Sequence, residues 1–167
     1  EINNRHDIVV NILLNNILVQ RGLISHEQKW EDRKMVRTPT DEITIGTEHW
    51  QSDEWKDKGR VDGAKLKPDL VWLRRDSRDQ WIKVVVDVKV TTTDKMSEAF
   101  KEKDDKYREW TTRDTREKKV EKAVMVPLIV SHDGAVRNDT VRRWKVNAPD
   151  IKVDWVRMAQ SVLRYNV

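Results

Sequence analysis

At residues 81–90 the chain reads WIKVVVDVKV, a run that is dense in β-branched residues and contains neither glycine nor proline. Such a run predicts a β-strand. Side chains alternate between the two faces of a strand, so one face is wholly apolar: Ile82, Val84, Val86, Val88 and Val90. The other face carries Lys83, Val85, Asp87 and Lys89. We expect a central strand of a sheet that leads into a functional site.

The segments around this run predict a mixed β-sheet flanked by helices, an α/β fold. Strands are expected at residues 69–73 and 123–131, and a turn at 74–80 separates the first of them from the central strand. A short strand is also expected at residues 23–30. Apolar residues at three- and four-residue spacing predict four helices, at residues 4–20, 96–118, 139–146 and 150–165.

Residues 33–66 form a polar, charge-dense stretch that contains Pro39, Gly46, Gly59 and Gly63. This composition predicts a long loop or insertion that faces the substrate, with a hairpin around residues 43–45. The chain has 167 residues, which suits a single domain spanning residues 1–167. Because it begins at Glu1, we expect a piece of a longer polypeptide.

The composition excludes several classes of protein. The chain has no cysteine, which excludes disulfide scaffolds, cysteine-ligated zinc fingers and thiol nucleophiles. Its longest apolar stretch, residues 123–130, is interrupted by Pro127 and is too short for a membrane span, so no membrane partner is expected. Lys and Arg number 33 against 29 Asp and Glu, and this mild basic excess permits a polyanionic partner.

Two aspartates mark the predicted site. Asp69 opens a strand after Lys67-Pro68, and seventeen residues separate it from Asp87 on the next strand. A hairpin-like pairing of these strands brings both carboxylates to one end of the sheet, where they repel each other unless a cation lies between them. A hard divalent cation with oxygen ligands is the usual solution. Taken alone, Asp87-Val88-Lys89 also fits a surface ion pair.

This arrangement resembles the PD-(D/E)xK nucleases, with Asp87 in the D/E position. The resemblance implies a restriction-endonuclease-like fold in which Asp69 and Asp87 bind Mg²⁺ or Mn²⁺. The lysine of that motif, here Lys89, orients the attacking water or stabilises the phosphate transition state.

Three longer segments, KPDLV at residues 67–71, VVDV at 85–88 and KEKDDKY at 101–107, resemble the restriction-like endonuclease domain of site-specific non-LTR retrotransposons. The opening RHD at residues 5–7 is also similar to the start of that domain. The resemblance implies a DNA endonuclease that nicks double-stranded target DNA in the nucleus to prime reverse transcription. It also implies that the remainder of a reverse-transcriptase polyprotein is a partner.

The identity of the catalytic lysine has two candidates. In the resembled family this lysine lies on the helix after the second acid, and the matching residue here is Lys103. Lys103 lies within the apolar stripe that includes Phe100 and Tyr107, which indicates either snorkelling or an anionic partner inside the protein. Lys89 is the alternative.

Other residues are weaker candidates. Glu27 on the expected first strand is either a third acid of the metal site or an ordinary exposed residue. His6 is a candidate phosphate contact, or a residue with a local structural role in the first turn of its helix. Three arginines near the predicted site in sequence are candidate DNA contacts: Arg74, Arg75 and Arg78.

Two further functions fit the same residues. A structure-selective nuclease of the Holliday-junction resolvase type uses the same acids and metal, but it acts as a homodimer on branched DNA. A degenerate, non-catalytic module that binds nucleic acid or serves as a scaffold is the alternative from another class. The presence of Asp69, Asp87 and two candidate lysines favours an intact nuclease site over a degenerate one.

Overall fold

The structure, a computed structural model, describes residues 2–30, 35–50 and 65–164. A short 3-10 helix at Thr93–Lys95 precedes the longest of the helices. The α-helices are α1 (Ile2–Gln20), α2 (Met96–Arg116), α3 (Asn138–Asn147) and α4 (Trp155–Arg164). The strands are β1 (Met35–Arg37), β2 (Asp41–Ile45), β3 (His49–Trp50), β4 (Lys65–Leu66), β5 (Leu70–Arg75), β6 (Trp81–Thr91) and β7 (Lys122–Ser131).

Five strands form one sheet in the order β1-β2-β5-β6-β7, and β3 pairs with β4 separately. The pairs from β1 to β6 are antiparallel. The strands β6 and β7 run parallel, because Glu121 N–H donates to the Trp81 carbonyl at one end and His132 N–H to the Thr91 carbonyl at the other. The predicted mixed α/β architecture is therefore confirmed.

The chain divides into two compact units, and β6, α2 and β7 contribute to both. The first unit draws on Glu1–Trp30, Val88–Lys103 and Val126–Val167. The second draws on Glu31–Asp87 and Asp104–Met125. The expectation of a single domain stays a prediction.

In the second unit, one face of the β5–β6 pair is covered by α2. Tyr107 and Trp110, three residues apart on the helix, are buried with Val71 of β5 and Val85 of β6. Burying each of these large side chains contributes on the order of 2 kcal/mol, so this cluster holds α2 against the strands. The backbone that carries Asp87 is thereby fixed.

In the first unit, α1 packs against α4. Its apolar residues are buried on most sides, which explains why its apolar pattern is broad: Val9, Val10, Ile12, Leu13, Leu14, Ile17 and Leu18. The start of α2 contributes Met96 and Ala99, which pack with Ile129 of β7. Within the described ranges, no helix has the length and apolar character needed to cross a membrane.

The expected strand at residues 23–30 is wrong, since this segment is irregular and pairs with none of the described strands. Its backbone is bound by asparagine side chains of α1 instead. The Asn15 amide accepts from Gln28 N–H at 3.0 Å and donates to the Gln28 carbonyl at 2.7 Å. Asn11 accepts from Trp30 N–H at 2.7 Å. These side chains supply the partners that a neighbouring strand would have supplied.

The expected long loop at residues 33–66 is also wrong for the part that the structure describes. Residues 35–45 form the β1–β2 hairpin at the edge of the main sheet, and its turn lies at residues 38–40. Buried Asp41 accepts a hydrogen bond from Trp72 Nε1 at 2.8 Å, which offsets the burial of its charge. Residues 33–34 and 51–64 of the expected insertion lie outside the described residues.

The last helix begins later than expected, at Trp155. The Asp154 carboxylate accepts a hydrogen bond from Arg157 N–H at 3.0 Å, as an N-cap residue does, so the helix starts after residue 154.

Gly134 lies where an added side chain would collide with Leu163. Its φ is +81°, and a Cβ atom there would lie 2.6 Å from Cδ1 of Leu163. We expect Gly134→Ala to lower the free energy of unfolding by about 1–3 kcal/mol, measured by urea denaturation.

Gly22→Ala is the matched control for Gly134→Ala. Gly22 has a similar φ of +72°, and a Cβ there meets nothing within 4 Å. We expect it to cost only the backbone strain, about 1 kcal/mol. Equal losses in the two variants would exclude a steric contribution from Leu163.

Candidate functional site

Asp69 and Asp87 lie opposite each other where β5 begins. The antiparallel register pairs Leu70 with Val86, and one further step along it pairs Asp69 with Asp87. The backbone N–H of Asp69 donates to Oδ1 of Asp87 at 3.3 Å. The expected juxtaposition of the two aspartates is therefore present, and their role as metal ligands stays a prediction.

The Asp87 carboxylate is held on its second oxygen by a tyrosine. Asp87 is only 4% exposed, and its Oδ2 accepts a hydrogen bond from the Tyr107 hydroxyl at 3.1 Å. Burial, together with the nearby charges of Asp87 and Asp69, raises the pKa of Tyr107 well above its ordinary value. Tyr107 is therefore a neutral hydrogen-bond donor that orients Asp87.

The donor set fits a hard divalent cation. Oδ1 of Asp87 accepts from Asp69 N–H and Oδ2 accepts from the Tyr107 hydroxyl, and carboxylate oxygens are ligands that such a cation prefers. In the described ranges no group of three or more His, Asp or Glu side chains has the geometry to hold a metal. Mg²⁺ needs no such cage, since it is usually bound by one or two carboxylates, water and substrate phosphates.

Both candidate lysines lie on elements that carry the site. Lys103 lies on α2, one turn before Tyr107, and is half-buried. Lys89 is exposed on β6, two residues after Asp87, and strand alternation places it on the Asp87 face. The catalytic role of either lysine stays a prediction.

Glu27 and His6 each contact a charged side chain outside the predicted site. The Glu27 carboxylate accepts two hydrogen bonds from Arg157 of α4, including Nη2 to Oε2 at 2.9 Å. The bond to Arg157 lowers the pKa of Glu27. His6 Nδ1 lies 3.2 Å from the carboxylate of the adjacent Asp7. These contacts favour structural roles for both residues, and the proposed metal and phosphate roles stay predictions.

The three candidate arginines lie at the other end of the β5–β6 hairpin from Asp69. Arg74 is buried and stacks on Trp72, with its guanidinium carbon 4.4 Å from the ring centroid. Arg75 donates to the Asp79 carboxylate at 2.9 Å, and Arg78 lies 3.8 Å from that of Asp76. Arg74 lies five residues after Asp69 along the strand, on the order of 17 Å away, and Arg75 and Arg78 follow it in the chain. Closeness in sequence therefore does not bring these arginines to the aspartates.

A buried ionic cluster in the second unit was missed from the sequence. Lys83 Nζ donates to Asp114 Oδ2 at 2.6 Å and lies 3.5 Å from the centroid of the Trp110 ring. Lys83 shares the Asp87 face of β6, and Asp114 follows Tyr107 by seven residues on α2. Seven residues are two helical turns, and this spacing is the signal that places Asp114 on the Tyr107 face of α2.

His49 completes this cluster and gives a pH prediction. Its ring lies 5.2 Å from that of Trp110, and burial, aided by the charge of Lys83 and opposed by Asp114, lowers the pKa of His49 to about 4. In the unfolded chain His49 binds a proton near pH 6.5, so its contribution is complete above that pH. We expect the free energy of unfolding to decrease as pH falls from 6.5 to 4.

The expected loss from His49 is on the order of 2–3 kcal/mol, measured by urea denaturation across this pH range. His49→Phe keeps a ring against Trp110 and cannot bind a proton. The free energy of unfolding of this variant should therefore decrease by about 2–3 kcal/mol less than that of the wild type over the same pH range. His26→Phe, a change at an exposed histidine, is the matched control. Parallel pH profiles for the wild type and His49→Phe would contradict this role.

Comparison of the chain with protein-family models and with curated protein sequences finds no match. The chemistry assigned to this site therefore rests on its residues and their geometry.

Proposed function

We propose that this chain is a metal-dependent DNA endonuclease in which Asp69 and Asp87 hold the metal. The observation that carries the proposal is the pairing of the two aspartates at one strand end, with Asp87 buried and oriented by Tyr107. A carboxylate held in a fixed orientation beside a second one is the protein part of a Mg²⁺ or Mn²⁺ site. Phosphodiester hydrolysis needs charge neutralisation at the phosphate more than covalent chemistry.

The finer function is target-DNA nicking that primes reverse transcription of a non-LTR retrotransposon. Its support is the resemblance of residues 67–71, 85–88 and 101–107 to that family of endonuclease domains. The five-stranded mixed sheet is compatible with a restriction-endonuclease-like fold. The proposed partners are double-stranded target DNA and the remainder of a reverse-transcriptase polyprotein, and the proposed location is the nucleus.

In the proposed reaction, the oxygen of a water molecule bonds to phosphorus and the bond between phosphorus and O3′ breaks. The water loses a proton and O3′ gains one, which leaves a 3′-hydroxyl and a 5′-phosphate. When bound, the metal supplies Lewis-acid stabilisation of the phosphate charge. Asp69 and Asp87 position it, Tyr107 fixes the orientation of Asp87, and Lys103 or Lys89 orients the water and offsets negative charge.

The test of this function is cleavage of supercoiled plasmid by the purified chain in Mg²⁺, Mn²⁺, Ca²⁺ or EDTA. We expect nicked circles in Mg²⁺ or Mn²⁺ and intact plasmid in EDTA. Ligation of the nick by DNA ligase without further treatment would establish the 3′-hydroxyl and 5′-phosphate ends. Nicking that continues unchanged in EDTA would contradict the metal site.

The plasmid-nicking assay also identifies which of the two candidate lysines, Lys103 or Lys89, assists the reaction. We expect Lys103→Ala to reduce the nicking rate about 100-fold or more, because a cation aimed at the phosphate is lost, and Lys89→Ala to reduce it far less. Lys106→Ala is the matched control on α2, since Lys106 is exposed. The reverse order of the two losses would assign the role to Lys89.

A further inference from the structure

Helix α3 differs from the longer α2 in its balance of charge. The helix α2 carries six basic and six acidic residues, whereas the ten residues of α3 carry three basic residues and one acid. The basic residues are Arg142, Arg143 and Lys145. This helix is a local excess of positive charge.

The opposite face of α3 is anchored firmly in the first unit. The buried Thr140 hydroxyl donates to the Pro127 carbonyl at 2.6 Å and accepts from Ile129 N–H at 3.3 Å. Buried Trp144 donates from Nε1 to the Ile151 carbonyl at 3.0 Å. The exposed basic face is therefore presented by a helix with a fixed position, as recognition requires.

Asp139, the acidic residue of α3, already accepts hydrogen bonds from two arginines. Asp139 Oδ2 accepts from Arg137 Nε at 2.9 Å, and its Oδ1 accepts from Arg142. Hydrogen bonds from Arg137 lower the pKa of Asp139, so this carboxylate remains ionised and engaged. Arg142 is 73% exposed and uses one side of its guanidinium for Asp139, which orients the rest of that group towards solvent.

Two arginine side chains lie over the ring of Phe100 beside this face. The guanidinium carbons of Arg143 and Arg137 lie 4.9 and 5.7 Å from the centroid of the Phe100 ring. Arg137 also donates to Ser97 Oγ at 2.9 Å. Arg137 and Arg142 therefore share the Asp139 carboxylate, and Arg137 and Arg143 share the Phe100 ring.

We propose that the exposed face of α3, carried by Arg142 and Lys145 with Arg143 at its side, binds the phosphate backbone of duplex DNA. Guanidinium groups bind phosphate oxygens through paired N–H donors, and phosphate contacts made from a helix of fixed position set the register and orientation of the protein on the duplex. The choice of DNA as the polyanion rests on the proposed nuclease function. Binding through α3 is independent of the metal and is measurable without cleavage.

The experiment measures the affinity of a fluorescein-labelled 25-base-pair duplex by anisotropy in EDTA, between 50 and 300 mM KCl. The test variant is Arg142→Ala/Lys145→Ala, whose two side chains are exposed. The matched control is Arg116→Ala/Lys122→Ala, which removes the same charge from two exposed residues of the second unit. Circular dichroism of each variant verifies the fold.

We expect the α3 variant to bind at least about tenfold more weakly, and its slope of log K against log[KCl] to be shallower by about 1–2. The control pair should change the affinity less than about threefold, since phosphate contacts rather than total charge set the slope. Equal losses in the two variants, no loss in either, or absence of DNA binding by the wild type would overturn the proposal. Binding of the wild type to vesicles that contain anionic lipid, without binding to the DNA duplex, would also overturn the proposal.

The binding experiment on α3 and the nicking assay can fail independently of each other. Plasmid nicking by a wild-type chain whose DNA affinity does not depend on α3 would reject the helix surface and leave the nuclease intact. Weaker DNA binding by the α3 variant of a chain that never nicks would support the surface and reject the nuclease.

Discussion

Asp87→Asn should reduce the rate of plasmid nicking in Mg²⁺ or Mn²⁺ by at least about 100-fold, and Asp69→Asn should have an effect of similar size. The reason is the loss of one anionic metal ligand, whose contribution to the transition state is several kcal/mol. The measurement is the initial rate of nicked-circle formation with each variant at the same protein concentration.

The asparagine at position 87 should leave the fold intact. Its amide oxygen accepts from Asp69 N–H as the carboxylate does, and its amide nitrogen donates to the Tyr107 hydroxyl, which is able to accept. We therefore expect the free energy of unfolding to stay within about 1 kcal/mol of the wild type. Asp105→Asn, a change at an exposed residue of α2, is the control. Wild-type nicking by folded Asp87→Asn would exclude this carboxylate from catalysis.

Asp114→Ala should destabilise the protein by about 3–5 kcal/mol. The change leaves the buried Lys83 ammonium without the carboxylate 2.6 Å away. Burial already lowers the pKa of Lys83, and Asp114 opposes that decrease, so removing Asp114 favours loss of the proton. The measurement is urea denaturation at pH 7.

Two further variants test whether the loss of stability in Asp114→Ala comes from the unpaired buried charge of Lys83. Lys83→Met/Asp114→Leu removes both charges and should recover most of the stability. Asp105→Ala breaks a 2.9 Å pair with Arg108 on the exposed side of α2 and should cost less than about 1 kcal/mol. If Asp114→Ala cost no more than Asp105→Ala, the buried pair would contribute nothing beyond a surface pair.

The hairpin that carries the acids was predictable because its signals are local. The alternation along residues 81–90 marks β6, and the turn between the two strands is short, so the pairing with β5 follows. That pairing fixes the register, and the register places Asp69 opposite Asp87. The candidate metal ligands could therefore be brought together from the sequence alone.

The secondary-structure predictions from the sequence were wrong where side chains bind the backbone or take the place of backbone partners. Residues 23–30 resemble a strand in composition, but Asn11 and Asn15 of α1 bind their backbone. The polar composition around Asp41 predicts a loop, but Asp41 is buried in β2, where its carboxylate accepts a hydrogen bond from Trp72. Contacts between residues distant in the sequence, such as Lys83 with Asp114, also lack a local signal that names the partner.

Mn²⁺ binding tests most directly whether Asp69 and Asp87 form a divalent-cation site, since this measurement needs neither a DNA target nor a protein partner. Electron paramagnetic resonance of unbound Mn²⁺ gives the stoichiometry and affinity for the wild type, Asp87→Asn and Asp105→Asn. We predict one Mn²⁺ site in the wild type and in Asp105→Asn, and its loss in Asp87→Asn. Equal Mn²⁺ binding by the wild type and Asp87→Asn would contradict the proposed metal site.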